Sequence, residues 1–122
     1  MGFKRGDVHL VNFNPSKGTE AGKIRPALIV QCNDLNDVNH PSTVVLPLTT
    51  QVHSNAQPLR FNLAAREALN QTSDVMIDQA RAIDNQRITS QPLTSLSADE
   101  MATIERYISM FKFLYWRLKS IS

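Results

Sequence analysis

Cysteine is nearly absent from the 122 residues: Cys32 is the only one, which excludes an intrachain disulfide and any multi-cysteine zinc site. Cys32 follows an apolar run and reads as a small packing residue. Glycine is scarce too, and all four (Gly2, Gly6, Gly18 and Gly22) fall within the first 22 residues. No apolar stretch approaches the roughly 20 residues of a membrane-spanning helix. Residues 1–7 carry no apolar run of the signal-peptide kind, so the reading is a cytoplasmic protein without membrane association. His9, His40 and His53 are scattered without metal-ligand spacing, and no metal or other cofactor is expected. Neither sign of charge dominates, with 13 Lys and Arg against 11 Asp and Glu. A pI near 8.9 permits nucleic-acid binding without demanding it. A chain that is 42% hydrophobic with a net charge of +2 is not disordered. Its length suits one domain over residues 1–122, able to bury roughly two-thirds of its unfolded surface.

What is present is a series of short strand patterns followed by one strong helix. Residues 7–13 form the first strand candidate, with Val8, Leu10 and Phe13 on one side. Residues 14–23 are polar, with Pro15, Gly18 and Gly22, and make a loop long for a hairpin; long ordered loops are often functional. Residues 26–32 are an apolar run expected of a buried strand, 33–42 are turn-rich, and 43–48 are a β-branched strand. Pro47 there has no N–H and marks an edge, a bulge or the strand's end. Leu59, Phe61 and Leu63 alternate with Arg60 and Asn62, a half-buried strand pattern. Residues 64–69 fit a helical turn, 75–83 contain a further strand, and 85–88 a last one. Ser97 and Glu100 then have capping-box spacing. After them Met101, Ile104, Ile108, Phe111, Tyr115 and Leu118 recur every three or four residues, one stripe of a helix of about 20 residues. Tyr107, Leu114 and Trp116 widen that stripe, which either covers the sheet alone or also packs on a second subunit. Strands first and a helix last predict an α+β or small-barrel architecture.

Four blocks, in order, resemble the MazF/PemK (Kid-like) toxin family. They are Lys4-Arg5-Gly6-Asp7-Val8; Gly18-Thr19-Glu20 with Gly22 and residues 25–30; Val45-Leu46-Pro47-Leu48-Thr49-Thr50; and Asp78-Gln79-Ala80-Arg81-Ala82-Ile83-Asp84. Each block alone is weak, but four at the right separations are specific. The resemblance implies an SH3-like small β-barrel of the MazF/Kid/CcdB type with a long C-terminal helix, forming a homodimer. It implies a type II toxin–antitoxin endoribonuclease that cuts single-stranded RNA at short motifs without a metal. It also implies a cognate antitoxin that covers the RNA-binding surface.

Metal-free RNA cleavage uses the ribose 2′-OH as an internal nucleophile, so no water need be activated. The protein must orient that hydroxyl, accept its proton and stabilise charge on phosphorus. Arg25 suits the last task, because a guanidinium is always cationic and grips two phosphate oxygens at once. On local grounds alone the better reading is a strand-edge ion pair with Glu20 or Asp84. Thr49 follows a strand and offers a hydroxyl donor. Glu20 and Asp78 are the candidate proton acceptors, or else RNA contacts. Thr19, Thr50, Gln51 and Gln79 suit base edges in unstacked RNA. Lys17 and Lys23 suit backbone phosphates, and Lys4 and Arg5 either extend that surface or are simply solvated. Arg81 and Asp84, three apart, read as an internal ion pair. The rival readings are a non-catalytic toxin similar to the gyrase poison CcdB and an SH3-like nucleic-acid- or peptide-binding module. Arg25 paired with Thr49 favours the nuclease.

Overall fold

The computed structural model describes residues 3–15, 18 and 23–121, apart from the side chains of 115, 116 and 118–121. The strands are β1 (Asp7–Asn12), β2 (Ile24–Ile29), β3 (Ser42–Thr49), β4 (Arg60–Leu63), β5 (Ser73–Met76), β6 (Arg81–Asp84) and β7 (Thr94–Ser95). A short helix, α1 (Asn33–Asp37), follows β2, and the long helix α2 (Ala98–Ile121) ends the chain. All the strand pairs are antiparallel, and the sheet runs β4-β5-β3-β2-β1-β7 with β6 on β3.

Strand β3 is the hub. One edge pairs with β2 from Val45 to Pro47, while the other pairs first with β6, as far as Val45↔Arg81, and then with β5 from Leu48↔Val75. Pro47 stands at the change of partner, where a residue without an N–H costs the ladder least. Beyond β6 the chain crosses in a 3₁₀ turn (Asn85–Arg87) to bridge Ile88 with Val11 on β1. Thr89, Leu93 and Leu96 then donate N–H groups to Leu10, Val8 and Gly6. That return closes the curled sheet.

Strand alternation sends side chains to two sides. Val11, Phe13, Ala27, Ile29, Val45 and Ile83 fill the inside of the curl, with Phe3 and Ile88 packed against them. Val8, Leu28, Leu46, Leu48, Leu63, Val75 and Ile77 form the other core, closed by Ile104 with Met101, Tyr107, Ile108 and Phe111 of α2. Tyr107 also meets Phe61 edge-to-face, with ring centroids 6.2 Å apart. Gly6 opens β1 with a φ of +96°, a conformation that a side chain would strain, and its N–H and C=O tie Ile29 to Leu96.

The capping box at α2 forms as expected. The Ser97 hydroxyl accepts the Glu100 N–H at 3.1 Å, and the Glu100 carboxylate accepts the Ser97 N–H at 2.9 Å. The same carboxylate takes two bonds from the Arg66 guanidinium, both 2.8 Å, and Arg66 in turn donates to Ser95 O and Thr94 Oγ1. One carboxylate therefore fixes both the helix start and the β4–β5 connection.

Several expectations are corrected. Phe13 lies beyond β1 and joins Val11 on the opposite side from Val8, because 8 and 13 differ by an odd number of residues. Cys32 is exposed, not packed: β2 ends at Ile29 and the chain turns into α1. Residues 64–69 form no helical turn but a tight Arg66↔Leu69 bridge. The 75–83 segment divides between β5 and β6 around a 3₁₀ turn (Ile77–Gln79), and 85–88 is that second turn plus a bridge. In α2, Met101, Ile104, Ile108 and Phe111 keep the expected stripe, whereas Leu114 is exposed. The side chains of Tyr115, Trp116 and Leu118 lie outside those described.

The Arg66 hydrogen bonds hold the Glu100 carboxyl below its ordinary range. Its contribution to stability is therefore present above the unfolded value of about 4.3 and is lost as pH falls through the lower folded value. Glu100→Ala should lower the unfolding free energy by about 1–2 kcal/mol at pH 7. Urea titrations should show the gap to wild type narrowing between pH 7 and pH 3; an equal gap at both pH values refutes the carboxylate's role.

Candidate functional site

The ladder between β2 and β3 stops at Ala27↔Pro47. Continuing that register would place Pro26 opposite Leu48 and Arg25 opposite Thr49. Pro26 has no N–H to offer the Leu48 carbonyl; the Arg25 side chain donates to it instead, Nη1 to O 3.3 Å. The ladder ends at this point, and an open cleft of about 430 Å³ lies at this corner of the sheet, lined from β2, the end of β3, β4 and β5. Arg25, Thr49, Thr50, Gln51, Gln79 and Lys23 all line it. Residues from three of the resembling blocks thus meet in one place.

Each side chain is held differently. Arg25 is half-buried at the second position of β2. Burial pulls its pKa down, though a guanidinium stays cationic at any working pH. Thr49 ends β3, and its hydroxyl oxygen accepts the Gln51 N–H at 3.2 Å, which leaves its hydrogen as a donor. Lys23 leaves the loop with a φ of 71°. Its N–H bonds the Asn14 side chain at 2.8 Å and its C=O accepts the Phe13 N–H at 2.9 Å. Those bonds offset the strain of a left-handed non-glycine.

Gln79 lines the cleft, but its neighbour Asp78 does not; Asp78 is exposed on the 3₁₀ turn. Lys17, Thr19 and Glu20 lie outside the described residues. Arg81 stands over the Phe13 ring at 5.7 Å, and Asp84 accepts the Gln86 N–H to cap its turn. Arg5 bonds Glu105 on α2 at 2.7 Å, so it serves the fold. Among the described residues no three His, Cys, Asp or Glu side chains gather to hold a metal ion, and no helix is long and apolar enough to cross a membrane.

Two residues of the site, Arg60 and Asp74, are not evident from the sequence. Arg60 is the first residue of β4, opposite Met76 on β5, and both line the cleft. Its Nη1 lies 3.7 Å from the Asp74 carboxylate and donates to Gln51 O at 3.4 Å. Asp74 is only 1% exposed and also accepts the His53 N–H at 2.7 Å and the Asn62 amide at 3.2 Å. The only signal in the chain is the alternation at 59–63, which marks Arg60 as the polar side of a strand and says nothing of its partner. The described lining therefore carries three cations (Lys23, Arg25 and Arg60) and no carboxylate.

A family model described as PemK-like, MazF-like toxin of type II toxin–antitoxin systems matches residues 4–111. The chain is 31% identical over 111 residues to endoribonuclease EndoA of Bacillus subtilis, covering 90% of this chain and 94% of that one. Its fold resembles crystalline MazF from Deinococcus radiodurans, with a TM-score of 0.74, 23% identity and coverage of 91% and 96% of the two chains. A mycobacterial endoribonuclease in complex with its cognate antitoxin is similar at a TM-score of 0.66 and 19% identity, over 89% of this chain and 91% of that one. The match over residues 4–111 places this chain in the PemK-like, MazF-like toxin family of type II toxin–antitoxin systems.

Proposed function

We propose that this chain is a toxin endoribonuclease whose cationic cleft cuts single-stranded RNA without a metal. The observation that carries the reading is that Arg25 and Thr49 line one cleft together with Lys23 and Arg60 and with no described carboxylate. A polyanion is the natural occupant of such a surface. The 2′-OH gives up its proton and attacks the adjacent phosphorus, a P–O bond forms, and the bond to the 5′ oxygen breaks, that oxygen taking a proton from solvent. The products are a 2′,3′-cyclic phosphate and a 5′-hydroxyl. Arg25 spans two phosphate oxygens and Thr49 donates to one of them, so charge developing on phosphorus meets donors already in place. Thr50, Gln51 and Gln79 read base edges, and Lys17, Thr19 and Lys23 hold the strand at the loop. Glu20 is the proton acceptor we favour, since exposed Asp78 does not line the cleft. An antitoxin with an acidic segment occupies the same cations and blocks the strand.

Removing one preorganised donor costs on the order of 10²–10³ in rate. Arg25→Lys should lose nearly as much as Arg25→Ala, because a point charge does not reproduce the fork. Thr49→Ser should retain most activity and Thr49→Val very little. A folded Arg25→Ala protein that cuts RNA at the wild-type rate refutes the assignment.

Digestion of a long mixed-sequence RNA in EDTA should proceed, with 5′-hydroxyl ends on mapping. Inhibition by EDTA or 5′-phosphate ends would instead make a metal-activated water the nucleophile. No cleavage at all would favour a binding toxin.

We also propose that the active form is a homodimer. The last half of α2 leaves Met110, Phe113 and Leu114 exposed, Phe113 at 63%, an apolar face that a second copy covers. Light scattering at micromolar concentration should give twice 13.7 kDa; the monomer mass overturns the claim.

A further inference from the structure

Arg60 does more than add charge to the cleft. It stands on the wall between that cleft and a second one of about 380 Å³, lined by residues 52–57 with Asn62 and Asp74. Its guanidinium is fixed from behind by a carboxylate that is almost wholly buried, and that carboxylate is itself satisfied by the His53 N–H and the Asn62 amide. Burying a carboxylate carries a desolvation cost, here offset by two hydrogen-bond donors and the Arg60 cation beside them. The result is a rigid cation with one side on Asp74 and Gln51 and the rest facing the two clefts. The second cleft has a different character: it offers amides and imidazole (His53, Asn55, Gln57 and Asn62) and no lysine. Groups of that kind suit an unstacked base better than a phosphate.

We propose that Arg60 binds the phosphate next to the one being cut, and that the second cleft receives the nucleotide beyond it. Asp74 is a positioning residue that aims Arg60 and, through the His53 N–H, sets the loop forming the cleft's rim. A strand gripped at Arg25 is thus extended past Gln51 along a path that the protein has already shaped. The inference rests on the RNA-cleaving reading of the Arg25 cleft.

The test uses the full chain and RNAs of one cleavable sequence, shortened nucleotide by nucleotide from either end. Arg60→Ala should raise KM for the longest RNA about 10- to 100-fold, as for a lost charge-assisted contact, with kcat falling far less. At the RNA length where wild type itself loses that factor, the substitution should add nothing further. Arg60→Lys should recover part of the loss and show a steeper salt dependence. Asp74→Asn keeps the side chain's size and should give an intermediate KM, with the base preference relaxed at one flanking position. If that variant fails to fold, the two Arg60 variants decide alone. Equal losses at every RNA length, or a change in kcat alone, overturn the proposal while leaving the nuclease reading intact. A wild-type chain that cuts no RNA overturns both.

Discussion

The end of the β2–β3 ladder at Ala27 and Pro47 is the constraint on which the site depends. Beyond it Arg25 and Thr49 lie outside the β2–β3 ladder and line one cleft. Pro26 cannot supply the next N–H, and Pro47 marks the point where β3 changes partners from β6 to β5. The sheet therefore opens at one corner while its two cores hold the rest together. The Arg25 side chain, bonded to the carbonyl that Pro26 cannot serve, keeps that corner defined. The cleft is lined largely from strands, which suits chemistry that needs fixed donors.

Electrostatics then decide what the cleft admits. Lys23, Arg25 and Arg60 line it, and the acid behind the wall, Asp74, is committed to Arg60, His53 and Asn62. Burial makes Arg25 costlier to keep charged, and a bound phosphate relieves that cost as water alone does not. Far from the site, Glu100 plays a similar double part, as capping-box member and as partner of Arg66. In both places one carboxylate organises two segments distant in sequence.

The helix α2 carries the clearest sequence signal and the least chemistry. Its box and stripe are legible because both are local, depending on spacings of three and four residues. Strands are equally legible where β-branched or alternating residues run unbroken, as at 43–48 and 59–63. The pattern fades where short elements meet, at 64–69 and 85–88, because a two-residue bridge or one 3₁₀ turn leaves no period to read.

The cleft residues divide in the same way. Arg25, Thr49, Thr50, Gln51 and Gln79 stand out in the chain because they fall in or beside blocks that resemble a family. Local chemistry alone favours an ion pair for Arg25. Arg60 and Asp74 cannot be found so, because their meaning is a contact between β4 and β5, made only by the Arg60↔Met76 and Asn62↔Asp74 register. Asp78 and Gln79 are adjacent, yet only Gln79 reaches the cleft, since a 3₁₀ turn sends neighbours in different directions. The strand-then-helix order, the helix cap and the residue types of the site are properties of the chain itself, set by short-range spacing. Which of those residues share a cleft is a property of the folded sheet, because it follows from where the β2–β3 ladder breaks.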